Sequence, residues 1–145
     1  MAWYLSKTDL TPPLYPEIIE EITRGNDSVV NNAIETAILE VQGYLTRYNI
    51  LALTGTSSVA PSDRSVLLDS KIKDIACWHL VKLANPNVNL ELFKTSFDEA
   101  IRFLKDVQKG LTDPPFPLKP DDPTTTSDDE TLVSYRADSK RQNRF

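Results

Sequence analysis

One cysteine, one histidine and four glycines in 145 residues leave little material for most kinds of site chemistry. The lone Cys77 excludes an intrachain disulfide and any multi-cysteine metal site, and it fits synthesis in a reducing cytosol. The lone His79 has Lys82 and Leu83 at the i+3 and i+4 positions, so no H-x-x-x-H or H-E-x-x-H pair can hold a metal. Cys77 and His79 are two residues apart; on a helix they point about 200° from each other and cannot act as a nucleophile and its base. No Gly-rich phosphate loop is present, and no segment approaches the roughly 18 apolar residues of a membrane span. The opening Met1-Ala2-Trp3-Tyr4-Leu5 lacks a basic n-region, so a soluble chain without a signal peptide is expected. Positive charge is also short: a net charge of −5 argues against a general binder of phosphate backbones.

What is present is helical periodicity. Thr11-Pro12-Pro13 breaks the chain, and Pro16 then suits a first helical turn, with Glu17, Glu20 and Glu21 favouring that end of the dipole. Leu14, Ile18, Ile19 and Ile22 give a short helix one apolar face, and Gly25 supplies a left-handed stop. With Asn26 or Asp27 as cap, Val30, Ala33, Ile34, Ala37, Ile38, Val41, Tyr44, Leu45 and Tyr48 predict a long amphipathic helix over 27–48. Gly43 inside it reads as a place where a neighbouring helix comes close. Residues 49–63 lose the period and read as a long loop made sticky by Ile50, Leu51 and Leu53. Ser62 is the expected cap of a third helix running to about Ala84, and Asn89 that of a fourth, which Gly110 closes. The expected fold is therefore all-α: three long helices, a short N-terminal one and an extended C-terminal tail.

The candidate chemistry on this frame is sparse. His79 reads as a satisfied, partly buried histidine, and Trp78, Phe93 and Phe97 as core. The acidic pairs Glu17/Glu21 and Asp69/Asp74 read as dipole partners and solvated faces. No catalytic, metal-ligating or cofactor-binding residue emerges, and no cofactor is expected.

After a helical body over 1–112, residues 113–145 change character. Five prolines fall between Pro114 and Pro123, Asp121, Asp122, Asp128, Asp129 and Glu130 make the next stretch acidic, and Arg136, Lys140, Arg141 and Arg144 make the last one basic. Such an arm cannot fold alone and is read either as a solubilising tail or as a docking segment. Tyr135, Arg136, Lys140, Arg141, Arg144 and Phe145 are its candidate anchors, because aromatic and arginine side chains dominate interface hot spots, and Leu51 and Leu53 are the candidates on the body.

Several segments then carry a resemblance. Trp3-Tyr4-Leu5-Ser6-Lys7-Thr8-Asp9-Leu10 resembles the aromatic-Leu-Thr-x-x-Asp-Leu opening of the Mu-like phage head-tail connector family, the head-completion adaptors. Ile18 to Gly25 is similar to that family's first helix, Ala33 to Tyr48 to its long second helix, Asp74-Ile75-Ala76-Cys77-Trp78-His79-Leu80 to the core of its third, and Phe97 to Leu104 to its fourth. The likeness covers about residues 3–118 and departs in the tail and in the longer 49–63 loop. It implies a structural virion protein with no catalytic residues, placed at the head-tail junction after synthesis in the bacterial cytoplasm. Implied partners are the portal protein, about twelve copies of itself in a ring, and tail or neck proteins. DNA would pass through such a ring without sequence-specific binding, and no membrane is involved. The alternative is a phage or mobile-element binding or regulatory module that engages a partner through its arm.

Overall fold

Four of the five helices start at a residue whose side chain accepts a hydrogen bond from the first turn, which replaces an acceptor the helix itself cannot supply. The computed structural model describes residues 3–10, 14–83 and 89–120. A 3-10 turn, Lys7–Leu10, precedes α1, Pro16–Thr23. Asn26 caps α2, Asp27–Tyr44; Asn49 caps α3, Ile50–Thr54; Ser65 caps α4, Val66–Val81; and Asn89 caps α5, Leu90–Lys109. Only α1 lacks a side-chain cap, and there Pro16 occupies the first turn. Among the described residues there is no strand, so the fold is an all-α bundle.

The centre of the bundle is α4, which packs on α2 on one side and on α5 on the other. Its sequence reflects that position. Leu68, Ile72, Ile75, Ala76, Cys77, Leu80 and Val81 are all buried and spread over more than half of the helix circumference. By contrast α2 buries a single stripe, Val30, Ala33, Ile34, Ala37, Ile38 and Val41. The outer helix α5 buries only Ala100, Leu104 and Val107 fully. Trp78 and Phe97 are half-buried rather than fully core, 6.0 Å apart at the α4–α5 seam, with the Lys94 ammonium over both rings. Phe93 is half-buried as well.

Several boundaries differ from the sequence expectation for identifiable reasons. The long helix ends at Tyr44 rather than 48, because a turn at 45–48 bonds Leu45 N to Gln42 O and Tyr48 N to Leu45 O. Leu45 and Tyr48 keep helical spacing yet are buried by the turn, with 1% exposure each. Part of the expected 49–63 loop is a helix, α3. The third long helix starts three residues after Ser62, at the Ser65 cap; Asp63 N donates instead to Ala52 O, which ties the loop to α3. The α1 stop is shared by Arg24, at φ 54°, and Gly25, at φ 78°. Within the chain Gly43 marks no close approach: a Cβ there would meet no described atom within 4 Å.

The first residues of the Pro-rich arm belong to the body. Phe116 is buried and stacks edge-on against Tyr48 at 5.6 Å. Asn49 N donates to Pro117 O at 2.8 Å and Lys119 N to Arg47 O at 3.3 Å, so 117–119 runs extended and antiparallel to 47–49. The Tyr48 hydroxyl donates to Asp113 at 3.1 Å.

Two glycines test this picture in opposite directions. Gly55 ends α3 at φ 66°, and a Cβ there would lie 2.2 Å from the Val59 carbonyl oxygen. Gly55→Ala is expected to cost about 2 kcal/mol or more in urea unfolding. Gly43→Ala, on an exposed turn of α2, is expected to raise stability by about 0.5 kcal/mol, since Ala restricts the unfolded chain more than Gly does.

Candidate functional site

The opening segment is held by one buried carboxylate. Asp69, in the first turn of α4, is 3% exposed. The Tyr4 hydroxyl donates to its Oδ1 at 2.6 Å, the Arg64 guanidinium pairs with its Oδ2, and Arg64 also lies 5.1 Å from the centre of the Tyr4 ring. Burial first, and then the hydrogen bond and charge of Asp69, push the Tyr4 phenol well above its ordinary value, so it remains a donor. A few residues on, Ser6 N and Ser6 Oγ donate to Asp9 Oδ2 at 2.7 and 2.9 Å. Burial would raise the Asp9 carboxyl, yet those two bonds hold it below the usual range. Asp69 is thus neither a solvated residue nor a simple dipole partner, as sequence reading expects. Nothing in the local pattern marks it for burial, because both partners come from outside its helix.

Pinning the opening segment places Trp3 beside α3 and the arm. Trp3, Ile50, Leu51 and Val59, with Lys119 and Pro120, line an open, mostly apolar groove of about 870 Å³. Leu51 and Val59 are each 64% exposed. The indole Nε1 of Trp3 is buried and has no hydrogen-bond acceptor among the described residues. Of the two leucines expected to meet a partner, Leu51 lies on this groove, whereas Leu53 turns inward and is completely buried in the core. Tyr135, Arg136, Lys140, Arg141, Arg144 and Phe145 lie outside the described residues. Sequence reading missed Trp3 and Val59 as groove residues; the one available signal was the apolar side chain of Val59 stranded among Ser, Thr, Gly and Pro.

The lone histidine and the lone cysteine are engaged in packing. His79 Nε2 lies 3.0 Å from Glu40 Oε2, with its ring edge-on to Phe97. The Cys77 thiol is pushed up to about 12, chiefly by burial, and stays neutral. No group of three or more His, Cys, Asp or Glu among the described residues is placed to hold a metal ion. No described helix is long and apolar enough to cross a membrane.

Two substitutions check these assignments. Tyr4→Phe leaves Asp69 short of a donor and is expected to lower stability by about 1.5–3 kcal/mol, the range for hydrogen bonds to charged groups, in urea titration at neutral pH. Asp74, on the half-buried flank of α4, has its carboxyl raised, mainly by burial. The folded state therefore binds its proton more tightly than the unfolded state. Its contribution is fully present at acid pH and is lost as pH rises from the ordinary carboxylate range through the raised value. Asp74→Asn should flatten that decline in a pH series of melting temperatures.

The body thus presents an open, mostly apolar groove at the root of the arm. Comparison with known proteins gives its lineage. The family model described as "Bacteriophage Mu, Gp36" matches residues 4–133, which carries the likeness past 118 and into the arm. No curated protein and no solved structure matches the chain. The chain belongs to the Bacteriophage Mu, Gp36 family.

Proposed function

We propose that this chain is a structural component of the phage particle: a head-tail connector that assembles as a ring under the portal, closes the capsid and offers a platform to the tail. The observation that carries the reading is the phage-family match, which runs through the whole helical body and on into the arm. Physical features of the body support it. A small bundle with different surfaces on its two flanks can use a heterologous self-contact, which closes into a ring when the rotation between copies divides the circle. Val66, Leu111 and Leu118 are exposed by 84%, 74% and 67%, which leaves apolar surface for such contacts. The net charge of −5 suits a channel along which DNA phosphates slide without sticking.

Co-expression with the portal protein of the same phage, followed by electron microscopy of the purified complex, tests the proposal. The expected image is a helical ring on the portal, with helices of the lengths of α2, α4 and α5. If the portal particles carry no added density and the chain elutes separately, the connector reading fails, and a regulatory module that uses the arm for another partner becomes the better account.

A further inference from the structure

The groove lined by Trp3, Ile50, Leu51 and Val59 lies at the root of the arm. Lys119 and Pro120, the last described residues, form part of its wall. The arm reaches it already extended, antiparallel to 47–49. The sequence continues for 25 residues beyond Pro120. Residues 121–131 are Asp, Glu, Pro, Thr and Ser only; the first apolar block after them is Leu132-Val133-Ser134-Tyr135. The family match extends to Val133, so the start of that block lies in the part of the chain that the family describes.

We propose that the groove is the seat of this chain's own arm, with Val133 and Tyr135 laid against Leu51 and Val59. Such seating does not depend on a connector role. In an extended segment Val133 and Tyr135 fall on one face and Leu132 and Ser134 on the other, so a single strand presents two apolar side chains to the groove. The twelve residues from Pro120 to Leu132 have a root-mean-square reach of roughly 20 Å, enough to turn back onto a groove that begins at Pro120. A tether of that length holds the block at an effective concentration on the order of millimolar, which favours the chain's own arm over a free partner. The seated arm covers an apolar surface that is otherwise open on the isolated chain.

Hydrogen exchange read by mass spectrometry on the full chain tests the seating. In Val133→Asp/Tyr135→Asp, amides of 50–60 should exchange at least about tenfold faster, with α2 and α4 unchanged, because only the covered region loses protection. Unchanged exchange at 50–60 overturns the proposal. A second measurement uses Leu51→Cys with Val133→Cys under mild oxidation, where the buried Cys77 stays out of the reaction. An intrachain disulfide whose yield is independent of dilution supports the seating. A disulfide that links two chains and fades on dilution assigns the groove to a neighbour's arm and overturns it, as does the absence of any disulfide.

Discussion

Because α4 is flanked by α2 and α5, it must bury side chains around most of its circumference, and the one carboxylate caught in that burial, Asp69, has to be matched from outside the helix. Removing an ionised carboxylate from water costs several kcal/mol unless donors replace the lost hydration. Tyr4 and Arg64 supply them. Tyr4 can do so only if the opening segment lies against the start of α4, and Arg64 only if residues 62–65 stay out of the helix. The late start of α4, the path of the N-terminal segment and the position of Trp3 beside α3 are therefore linked to one buried charge.

How much of this was legible in the sequence depended on how local the cause was. Asn26, Asn89 and Gly110 were readable as helix boundaries because a cap or a left-handed stop is decided within one turn. The end of α2 was not, because Leu45 and Tyr48 sit at helical spacing but are buried by a turn that Phe116, from a distant stretch, helps to hold. Asn49 did carry a local signal for α3, a short polar residue ahead of Ile-Leu-Ala-Leu, which the loss of longer periodicity concealed. Leu51 and Leu53 looked equivalent as sticky positions. Two places apart on a helix, they face nearly opposite ways, so one meets solvent and the other the core. The groove was less legible still: its walls come from the opening segment, from α3 and the loop after it, and from the arm.

The chain belongs to a phage protein family, and its few reactive side chains are each held in the body. His79 pairs with Glu40, the Cys77 thiol is buried and neutral, and the Tyr4 hydroxyl is held as a donor to Asp69. Among the surfaces left over, an open and mostly apolar groove lies where the arm departs.

The way the arm joins the body also sets a load path. Tension on residues beyond Pro120 would enter at Lys119, pass to Arg47 and Asn49 through two backbone hydrogen bonds, and bear on the Tyr48–Phe116 ring contact as on a hinge pin. Those few interactions are far weaker than the packing of α4 between its neighbours. Pulling would strip residues 113–119 from the body before the bundle deformed, so the junction behaves as a mechanical fuse that yields extra length while the helices keep their shape.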